Sequence, residues 1–391
     1  MAVVHVINGR QKKLFGGHPW VYRNEIERIE GDFAAGDDVD VVDFRGRYIG
    51  RGFINPGSVI TVRILTNKKE DITGEQIRER VRNAVRYRAY FRRDDTDCER
   101  LVFAEADLLP GVIAERFGDA VVLQTLALGM QKHEEIIADS LIEEVDPKTL
   151  VLRNDEPIRS KEGMKLFAEK YYGEDIRKTI FKENGIKFEI DLYGGQKTGG
   201  FLDQKANHRR LRSFVKGKRV LDCFAYSGGF ALNAVAGGAS SITAVDISEE
   251  AIDLVSRNAG LNGIYGLDIV KANAFDFLRE SAVKKEGYDV IVLDPPAFTK
   301  SKSALSGAVR GYKEINLSAM RLLRQGGILA TNSCSYHMPE DLFVNTVLSA
   351  ATDLRRKVRI IGLYGQDNDH PVLAGYPESK YLKSLWLEML N

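Results

Sequence analysis

The chain has 391 residues, which is too long for one ordinary domain, so two or three domains are expected. Hydrophobic residues make up 44% of it and charged residues 28%, as in ordinary globular proteins, and a net charge of +1 makes no case for or against a nucleic-acid partner. The chain has no signal-peptide layout and no apolar run of about 18 residues, so we expect a soluble intracellular protein without a membrane partner.

Short apolar or alternating stretches separated by glycine-containing turns predict a small β domain over residues 1–72. The predicted strands are 3–7, 39–42, 48–53 and 59–65.

A helix is predicted over residues 75–93, a stretch that contains seven arginines and only two glutamates. The arginines are Arg78, Arg80, Arg82, Arg86, Arg88, Arg92 and Arg93. Apolar residues at helical spacing give this helix a buried stripe. The arginines have two readings of equal weight, a solvated helix face or a surface that follows phosphates.

The helix opens a predicted α+β middle domain over residues 73–185. It contains a hairpin of strands 112–116 and 120–124, a helix near 131–145 and a strand at 150–152. The polar segment 154–185, with the pair Tyr171 and Tyr172, is predicted to be a linker or lid.

From residue 186 to 391 strands and helices alternate, which predicts a Rossmann-like α/β domain with a parallel sheet covered on both faces. Strands are predicted at 219–224, 241–245, 268–271, 289–293, 327–332 and 357–363, and helices near 229–237, 249–259, 274–283, 311–324 and 339–352. The run 381–387 follows the sixth strand across a tight connection, which predicts a seventh strand inserted antiparallel.

Two chemically distinctive loops follow buried strands of this domain. One is Asp294-Pro295-Pro296-Ala297-Phe298 and the other is Asn332-Ser333-Cys334-Ser335. Open α/β sheets place their chemistry at the carboxyl ends of their strands. A proline-rich loop is rigid and can hold a flat base beside one carboxylate, while a thiol adds a nucleophile. The pair therefore predicts covalent methyl transfer to a pyrimidine.

The predicted cofactor loop follows the first strand of the sheet and runs from Asp222 through Gly228-Gly229 to Phe230. Its glycines permit close backbone approach to a ligand, but their spacing is not GxGxxG. Asp246 ends the second strand and is expected to accept hydrogen bonds from a ribose. Asn273-Ala274 follows the third strand and suits an adenine edge.

An adenosine occurs in both NAD and S-adenosylmethionine, so these loops alone leave the cofactor ambiguous. S-adenosylmethionine has no pyrophosphate to bind, so one Gly-Gly pair suffices for it. The Asp294-Pro295-Pro296 loop has no role in hydride transfer. We therefore expect S-adenosyl-L-methionine as the cofactor.

With these residues in view, the chain resembles the PUA-domain-containing 5-methylcytosine methyltransferases of large-subunit ribosomal RNA over nearly its whole length. The matching motifs are His18-Pro19-Trp20-Val21, Leu109-Pro110-Gly111, Gln196-Lys197-Thr198-Gly199-Gly200-Phe201-Leu202-Asp203-Gln204, Asp222 to Phe230, Asp294 to Phe298, Arg310-Gly311-Tyr312-Lys313, Ser333-Cys334-Ser335, Asp369-His370-Pro371 and Tyr376-Pro377-Glu378. The order and number of these motifs make the resemblance specific.

The resemblance implies a class I methyltransferase domain behind a PUA-like RNA-binding domain, with ribosomal RNA or an assembly intermediate as partner. It implies that the stretch with Lys197, Thr198, Phe201 and Gln204 packs over the methionine end of the donor. Tyr226-Ser227-Gly228 is implied as the main cofactor loop. Asp246 is then assigned to the ribose and Asn273 to the adenine amine. Many relatives have Asp where this chain has Asn273, whose side-chain oxygen can accept the same hydrogen bond.

In the implied reaction the Cys334 thiolate attacks carbon 6 of cytosine, and Asp294 hydrogen-bonds the base edge. The prolines Pro295 and Pro296 and Phe298 are assigned to the base, together with Tyr312 and Lys313 of the following helix. Alternatively, Tyr312 caps that helix by packing and does not contact the base.

Other residues leave alternatives open. Cys334 is interpreted as the nucleophile rather than as a buried core residue, since it lies between two serines at a strand end. The more familiar RNA cytosine methyltransferases have a second cysteine where this chain has Ala297. His337 either tunes the thiol or is simply exposed, and His370 has the same two readings. Cys223 is expected to pack under the cofactor loop, Cys98 has no assigned role, and the cysteine spacing indicates reducing cytosol without a metal site.

The sequence leaves two further functions open. A guanine N2 or N7 methyltransferase of ribosomal RNA shares the Asp-Pro-Pro-x-Phe loop but leaves Cys334 idle. A non-catalytic RNA-binding protein is disfavoured by the intact cofactor loops. The modified nucleotide, the base that removes the carbon-5 proton and the oligomeric state, a homodimer included, stay open.

Overall fold

The structure is a computed structural model that describes residues 1–194, 200–299 and 301–391. The chain divides into two compact units. Unit 1 comprises Met1–Phe181, Ile190–Gly200 and Asn368–Ser379, and unit 2 comprises Lys182–Glu189, Phe201–Asp367 and Lys380–Asn391. The division into domains 1–72, 73–185 and 186–391 stays a prediction.

The first sheet of unit 1 has the strand order β2-β6-β5-β4-β1-β3. Its elements are β1 (Ala2–Val6), α1 (Gln11–Phe15), β2 (Trp20–Tyr22), β3 (Ile26–Glu30), β4 (Asp38–Val42), β5 (Tyr48–Ile54) and β6 (Ile60–Thr66). All four predicted strands are present. The sequence did not reveal β2 and β3, because they are edge strands, short in one case and largely exposed in the other. A Cβ at Gly52 would lie 1.9 Å from the Arg63 carbonyl oxygen, so β5 and β6 need glycine at this bulge.

The second sheet of unit 1 has the order β11-β10-β9-β8-β7. Its elements, with the helices between them, are α2 (Gly74–Ala89), β7 (Cys98–Phe103), β8 (Val112–Phe117), β9 (Ala120–Thr125), α3 (Leu128–Gln131), α4 (Glu134–Val145), β10 (Thr149–Asn154), α5 (Ile158–Lys161) and β11 (Phe167–Gly173). Apolar residues of α2, α4 and the sheet form one buried core. The predicted hairpin is β8 and β9.

The polar segment 154–185 differs from its prediction as a linker or lid. It contains α5, β11 and then β12 (Lys178–Glu183), which pairs with β13 (Ile186–Asp191). The strand β11 pairs antiparallel with β10 at the edge of the sheet, and most of its side chains are exposed. An edge strand of this kind has the polar composition of a linker, which explains the error.

Unit 1 contains a buried ion pair. The Arg63 guanidinium donates to both carboxylate oxygens of Glu162 at 3.1 and 3.2 Å, and Glu162 also accepts from the Ser58 hydroxyl and the Asn55 amide. Burial by itself raises the pKa of Glu162, but the charge of Arg63 and these hydrogen bonds outweigh it and lower the pKa.

Most arginines around α2 are engaged within the protein. Six of the seven have partners in the described part of the chain, namely Arg78, Arg80, Arg82, Arg88, Arg92 and Arg93. Arg88 is completely buried and forms a bidentate pair with Asp107 at 2.6 and 2.7 Å. Arg86 is exposed and has no partner among the described residues. The helix is therefore largely a salt-bridged surface rather than a row of available cations.

Within the residues that the structure describes, unit 2 contains a seven-stranded sheet in the order β16-β15-β14-β17-β18-β20-β19. Its elements are α6 (Lys205–Leu211), β14 (Arg219–Cys223), α7 (Gly229–Ala236), β15 (Ser241–Asp246), α8 (Glu249–Leu261), β16 (Asp268–Lys271), α9 (Ala274–Val283), β17 (Tyr288–Leu293), α10 (Leu305–Leu322), β18 (Leu323–Ser333), α11 (Glu340–Asp353), β19 (Val358–Tyr364) and β20 (Lys383–Met389). The strands from β16 to β18 pair in parallel, whereas β20 pairs antiparallel with both β18 and β19. The predicted antiparallel insertion is confirmed, but the predicted tight connection is wrong, because residues 365–382 lie between β19 and β20.

Buried residues cover both faces of this sheet, as the alternation of strands and helices predicted. The carboxyl ends of β14, β15, β17 and β18 lie at one edge, because these strands are parallel neighbours. No helix in the described residues is long and apolar enough to cross a membrane.

Candidate active site

The loop after β14 has an unusual backbone. Phe224 and Tyr226 adopt left-handed conformations with φ of 67° and 49°, and Gly228 follows with φ of 84°. The amides of Phe224 and Ala225 both donate to the carbonyl of Val245 on β15. Left-handed conformations of bulky residues are costly and concentrate at ligand sites. This loop is therefore shaped for a ligand.

Asp246 links the ends of β14 and β15. One carboxylate oxygen accepts from the Tyr226 amide at 3.0 Å and the other from the Ser248 amide at 2.9 Å. Asp246 is partly exposed, and a carboxylate has about four acceptor positions, so two hydroxyls of a ribose can still bind.

Asp222 is buried beneath the same loop with 1% of its surface exposed. One of its oxygens accepts from the Ala231 amide of α7 at 2.9 Å, and the other has no hydrogen-bond partner among the described residues. Burial raises the pKa of Asp222 to about 8, with Asp294 adding to the rise and His208 opposing it. An unpartnered buried carboxylate oxygen is costly unless a ligand donates to it or supplies positive charge.

His208 was not predicted as a site residue, although it lies beside Gly229 of the loop after β14. Its Nδ1 lies 2.6 Å from a Glu183 oxygen, and its ring stands edge-on to Phe230 at 4.4 Å. Burial lowers and the Glu183 carboxylate raises the pKa of His208, and the net direction is upward. A Cβ at Gly229 would lie 2.4 Å from the His208 ring, so the second glycine of the loop makes room for this histidine. No sequence motif signals this contact.

The segment before the sheet reaches the Asp294 loop. The side-chain amide nitrogen of Gln204 donates to Asp294 at 2.8 Å. The side-chain oxygen of Gln204 accepts from the Asn207 side chain at 2.7 Å. Phe201 packs edge-on against Tyr226 at 5.0 Å. The structure thus brings Phe201, Gln204, Tyr226 and Asp294 together. The expected residues Lys197 and Thr198 lie outside the described residues.

The third expected contact is at Asn273, which caps α9. Its side-chain oxygen accepts from the Phe275 amide at 2.9 Å, and the residue is exposed while Ala274 is buried. The Ser227 carbonyl accepts from the Asn258 amide at 2.9 Å, which fixes the cofactor loop to α8.

Cys334 lies in the loop after β18 and is partly exposed, whereas Cys98 and Cys223 are buried. Burial raises the pKa of the Cys223 thiol well above its ordinary value, which fits its expected packing role. The strands β17 and β18 pair with Leu293 opposite Thr331, so the loops of Asp294 and Cys334 start side by side.

Hydrogen bonds to Tyr312 hold both neighbours of Cys334. The hydroxyl of Tyr312 lies 2.8 Å from that of Ser333 and 2.9 Å from that of Ser335. Tyr312 is completely buried, and burial raises its pKa to about 12 against the influence of the two serines. This corrects the expectation that Tyr312 lines a base pocket, because it lies behind the Cys334 loop.

The assignment of Lys313 to the base stays a prediction, and the structure shows this side chain in a different contact. Its ammonium lies 2.8 Å from Asp353, the last residue of α11. The helix α11 begins just after the Cys334 loop, and Asp353 lies about 20 Å along the helix from that start at 1.5 Å per residue. The ion pair therefore directs Lys313 away from the loop.

The Asp294 loop has accessible surface for a flat ligand. Pro296 is exposed and Phe298 is partly exposed, while Pro295 is buried. The Phe298 ring lies 4.6 Å from that of Tyr312 with a tilt of 37°, so it joins the loop to the core.

The two histidines considered earlier differ in position. His337 belongs to the Cys334 loop and is partly exposed, with its ring 5.0 Å from that of Tyr336. His370 is buried in unit 1, where its Nδ1 lies 2.7 Å from Asp369. No group of three or more potential metal ligands occurs among the described residues.

The arrangement fits S-adenosylmethionine on its own chemistry. The donor is cationic at sulfur, and Asp222, Asp246 and Asp294 place carboxylates at the edge of the sheet where the loop is shaped for a ligand. Asp222 has an oxygen without a hydrogen-bond partner among the described residues, and Asp246 is held by two amides. Both can accept hydrogen bonds from the hydroxyl or ammonium groups of an adenosyl ligand with an amino-acid end.

Comparison with known proteins agrees with this chemistry. Residues 4–67 match the family of PUA-like domains, and residues 159–360 match the family of S-adenosylmethionine-dependent methyltransferases. A Streptococcus mutans protein assigned as an S-adenosylmethionine-dependent methyltransferase has the same fold, with a TM-score of 0.86 at 19% identity over 99% of this chain and 100% of that one. A second such structure, solved with S-adenosylhomocysteine, gives 0.87 at 20% identity with the same coverage. These matches confirm the expected fold class and cofactor.

Curated relatives align over almost the full chain. Ribosomal RNA large subunit methyltransferase I of Klebsiella pneumoniae (strain 342) is 40% identical over 380 residues, which is 96% of this chain and 95% of the relative. The protein of the same name from Photobacterium profundum is 40% identical over 386 residues, 97% of each chain. The chain therefore belongs to the ribosomal RNA large subunit methyltransferase I family of S-adenosylmethionine-dependent methyltransferases.

Proposed function

We propose that this protein methylates carbon 5 of a cytosine in large-subunit ribosomal RNA through a covalent adduct with Cys334. The observation that carries the proposal is the partly exposed Cys334 thiol in a loop beside that of Asp294. The names of the curated relatives support large-subunit ribosomal RNA as the substrate, and the PUA-like domain supports RNA binding.

Carbon 5 of cytosine is a poor nucleophile, and Cys334 overcomes this by covalent catalysis. The thiolate sulfur forms a bond to carbon 6, and the electrons of the 5,6 double bond make carbon 5 an enamine-like nucleophile. The bound donor supplies an electrophilic methyl group. Loss of the carbon-5 proton to a base then restores the double bond and expels the Cys334 thiolate.

Asp294 orients the base in this scheme. Its carboxylate is fixed by the Gln204 amide at 2.8 Å, and it accepts from the exocyclic amine of cytosine. The exposed Pro296 and partly exposed Phe298 offer a flat surface for the ring. Tyr312 does not contact the base. Its hydroxyl binds those of Ser333 and Ser335 and so holds the Cys334 thiol in place.

Unit 1 is proposed to bind the RNA. Because the other arginines around α2 have protein partners in the described chain, Arg86 is the arginine of this group that we assign to a phosphate. Large-subunit RNA and its assembly intermediates both present such phosphates.

The test uses ribosomal RNA that carries 5-fluorocytosine at the target. With the methyl donor present, the full-length protein should form a stable adduct, because fluorine does not leave as a proton does. Cys334→Ser should abolish both adduct and turnover, since an alcohol is far less ionised than a thiol near neutral pH. It should preserve binding of S-adenosylhomocysteine, measured by calorimetry.

Cys98→Ser is the matched control, because Cys98 is buried in unit 1 and should affect neither adduct nor turnover. Normal methylation by Cys334→Ser would refute the covalent mechanism. A methylated guanine in the mapped product would support the guanine N2 or N7 alternative, in which the base attacks the methyl group directly.

A further inference from the structure

A buried lysine lies beneath the Cys334 loop and has no part in the mechanism so far. Lys383 begins β20, has 5% of its surface exposed and pairs with Ser333 across the antiparallel ladder with β18. Its ammonium donates to the carbonyl of Ser335 at 2.9 Å and to that of Met338 at 3.0 Å. The residue thus contacts the chain on both sides of Cys334.

A lysine in this position is costly, because burying an ammonium removes its hydration. Hydrogen bonds to two carbonyls compensate in part, but a neutral side chain with an N–H donor would do the same without the charge. The charge therefore needs a separate reason. The Cys334 thiol belongs to the residue directly before Ser335, whose carbonyl binds the ammonium, and a thiol gains from a positive charge when it ionises.

We propose that Lys383 is a positioning residue whose ammonium fixes the Cys334 loop and stabilises the Cys334 thiolate. The inference rests on the proposed function in that it gives a reason for a reactive thiolate. A cation within about 4–6 Å lowers the pKa of an acidic group by roughly one to three units. A thiolate held in this way is both the nucleophile and the group expelled at the end of the reaction.

Among the charged groups around Lys383 and Cys334, the attraction between these two is the largest influence that favours the charged form of Lys383. Burial lowers the pKa of Lys383 to about 8, with Cys334 as the largest opposing influence, Glu340 a smaller one, and Lys380 acting with burial. Glu340 of α11 and Lys380 form an ion pair at 2.6 Å, so their charges largely cancel. Tyr312 of α10 is neutral at physiological pH, because its pKa is raised to about 12.

Tyr336 and His337 are the remaining titratable groups of the loop; Tyr336 is exposed and His337 is partly exposed. Lys383 keeps its proton below about pH 8, which is the range in which a thiol of ordinary pKa, about 8.5, is protonated. The ammonium is therefore charged where the thiolate needs it.

The experiment measures alkylation of Cys334 by iodoacetamide in the full-length protein from pH 6 to 10, with the Cys334 peptide quantified by mass spectrometry. Lys383→Met removes the charge and the donors, whereas Lys383→Gln removes the charge but keeps an N–H donor. Both should alkylate roughly tenfold more slowly at pH 7, since one pKa unit is a factor of ten in thiolate. The double variant Glu340→Gln/Lys380→Met is the control, because it removes the neighbouring ion pair without changing the net charge, and it should behave like the wild type.

Wild-type alkylation by a Lys383→Gln protein that still binds S-adenosylhomocysteine would overturn the proposal and leave the lysine a structural role only. If neither lysine variant folds, the coupling can be tested from the other side, by titrating Lys383 in the Cys334→Ser protein. Cys334→Ser should lower the pKa of Lys383, followed by NMR of 15N-labelled lysine, and an unchanged titration would equally overturn the coupling. Alkylation needs neither RNA nor donor, so its result is independent of whether Cys334→Ser abolishes methylation.

Discussion

The hydroxyl of Tyr312 should matter more for catalysis than for folding, although it touches no substrate. Tyr312→Phe removes one oxygen and keeps the ring, which packs on Phe298 at 4.6 Å and on Phe343 at 5.3 Å. The hydroxyl contacts those of Ser333 and Ser335, and all three residues are completely buried. The substitution therefore isolates these hydrogen bonds.

The magnitude follows from two buried hydrogen bonds of about 0.5–1.5 kcal/mol each, so the free energy of unfolding should fall by about 1–3 kcal/mol. The loss of turnover should be larger, because the serines on either side of Cys334 are no longer fixed. A displacement of a reacting group by about 1 Å can reduce kcat a hundredfold. We expect kcat on ribosomal RNA to fall ten- to a hundredfold with little change in KM.

Tyr288→Phe is the matched control, since Tyr288 is also buried and belongs to the same unit. Its hydroxyl donates to Glu286 at 3.2 Å at the amino end of β17, the edge opposite the site. It should lose stability, measured by thermal unfolding, but keep kcat. A Tyr312→Phe protein that is destabilised yet retains wild-type kcat would show that the hydroxyl does not position Cys334.

Four further outcomes are expected. Asp246→Ala should weaken donor affinity in calorimetry by about 1.5–3 kcal/mol, because hydrogen bonds to a charged group are lost, whereas Asp289→Ala at the opposite edge should not. The preference for S-adenosylmethionine over S-adenosylhomocysteine, whose sulfur is uncharged, should grow as pH rises through about 8, where Asp222 loses its proton, and Asp222→Asn should remove this pH dependence. Glu162→Gln should lower the free energy of unfolding by about 3–5 kcal/mol at pH 7 by breaking a buried pair, and the difference in melting temperature should shrink in acid. The lowered pKa of Glu162 gives that sign, because its contribution is present above the ordinary Glu pKa and is lost as pH falls through the folded value. Arg86→Ala should reduce the slope of log K against log salt for RNA by about one, and an unchanged slope would exclude this phosphate contact.

The sequence predicted the strands of unit 2 and their loops well, because strands buried on both faces appear as apolar runs. The antiparallel strand β20 was found for the same reason, since Leu385, Trp386 and Leu387 are all buried. The polar edge strand β11 was taken for a linker, because exposure on both faces removes the alternation on which such predictions depend.

Candidate site residues can be named from the sequence where a residue type and a strand end coincide, as at Asp246, Asp294 and Cys334, and these assignments stay predictions. Contacts between residues distant in sequence leave no such signal, as at His208 beside Gly229 and Lys383 beneath the Cys334 loop. Tyr312 was assigned to the substrate because helical spacing does not tell which side of a loop a helix supports.

The same contacts explain how charge is distributed over the site. Asp222, Asp246 and Asp294 stand at the ends of adjacent strands on the side where the donor is expected. Asp222 keeps its proton below about pH 8, and a cationic sulfur is the ligand charge that favours the ionised form of this cluster. Lys383 stands under the neighbouring loop, where the proposed reaction forms a thiolate and later expels it. A carboxylate set for a cationic donor and a buried ammonium for an anionic nucleophile lie on the same sheet edge, so each partner of the proposed methyl transfer meets the charge that stabilises it.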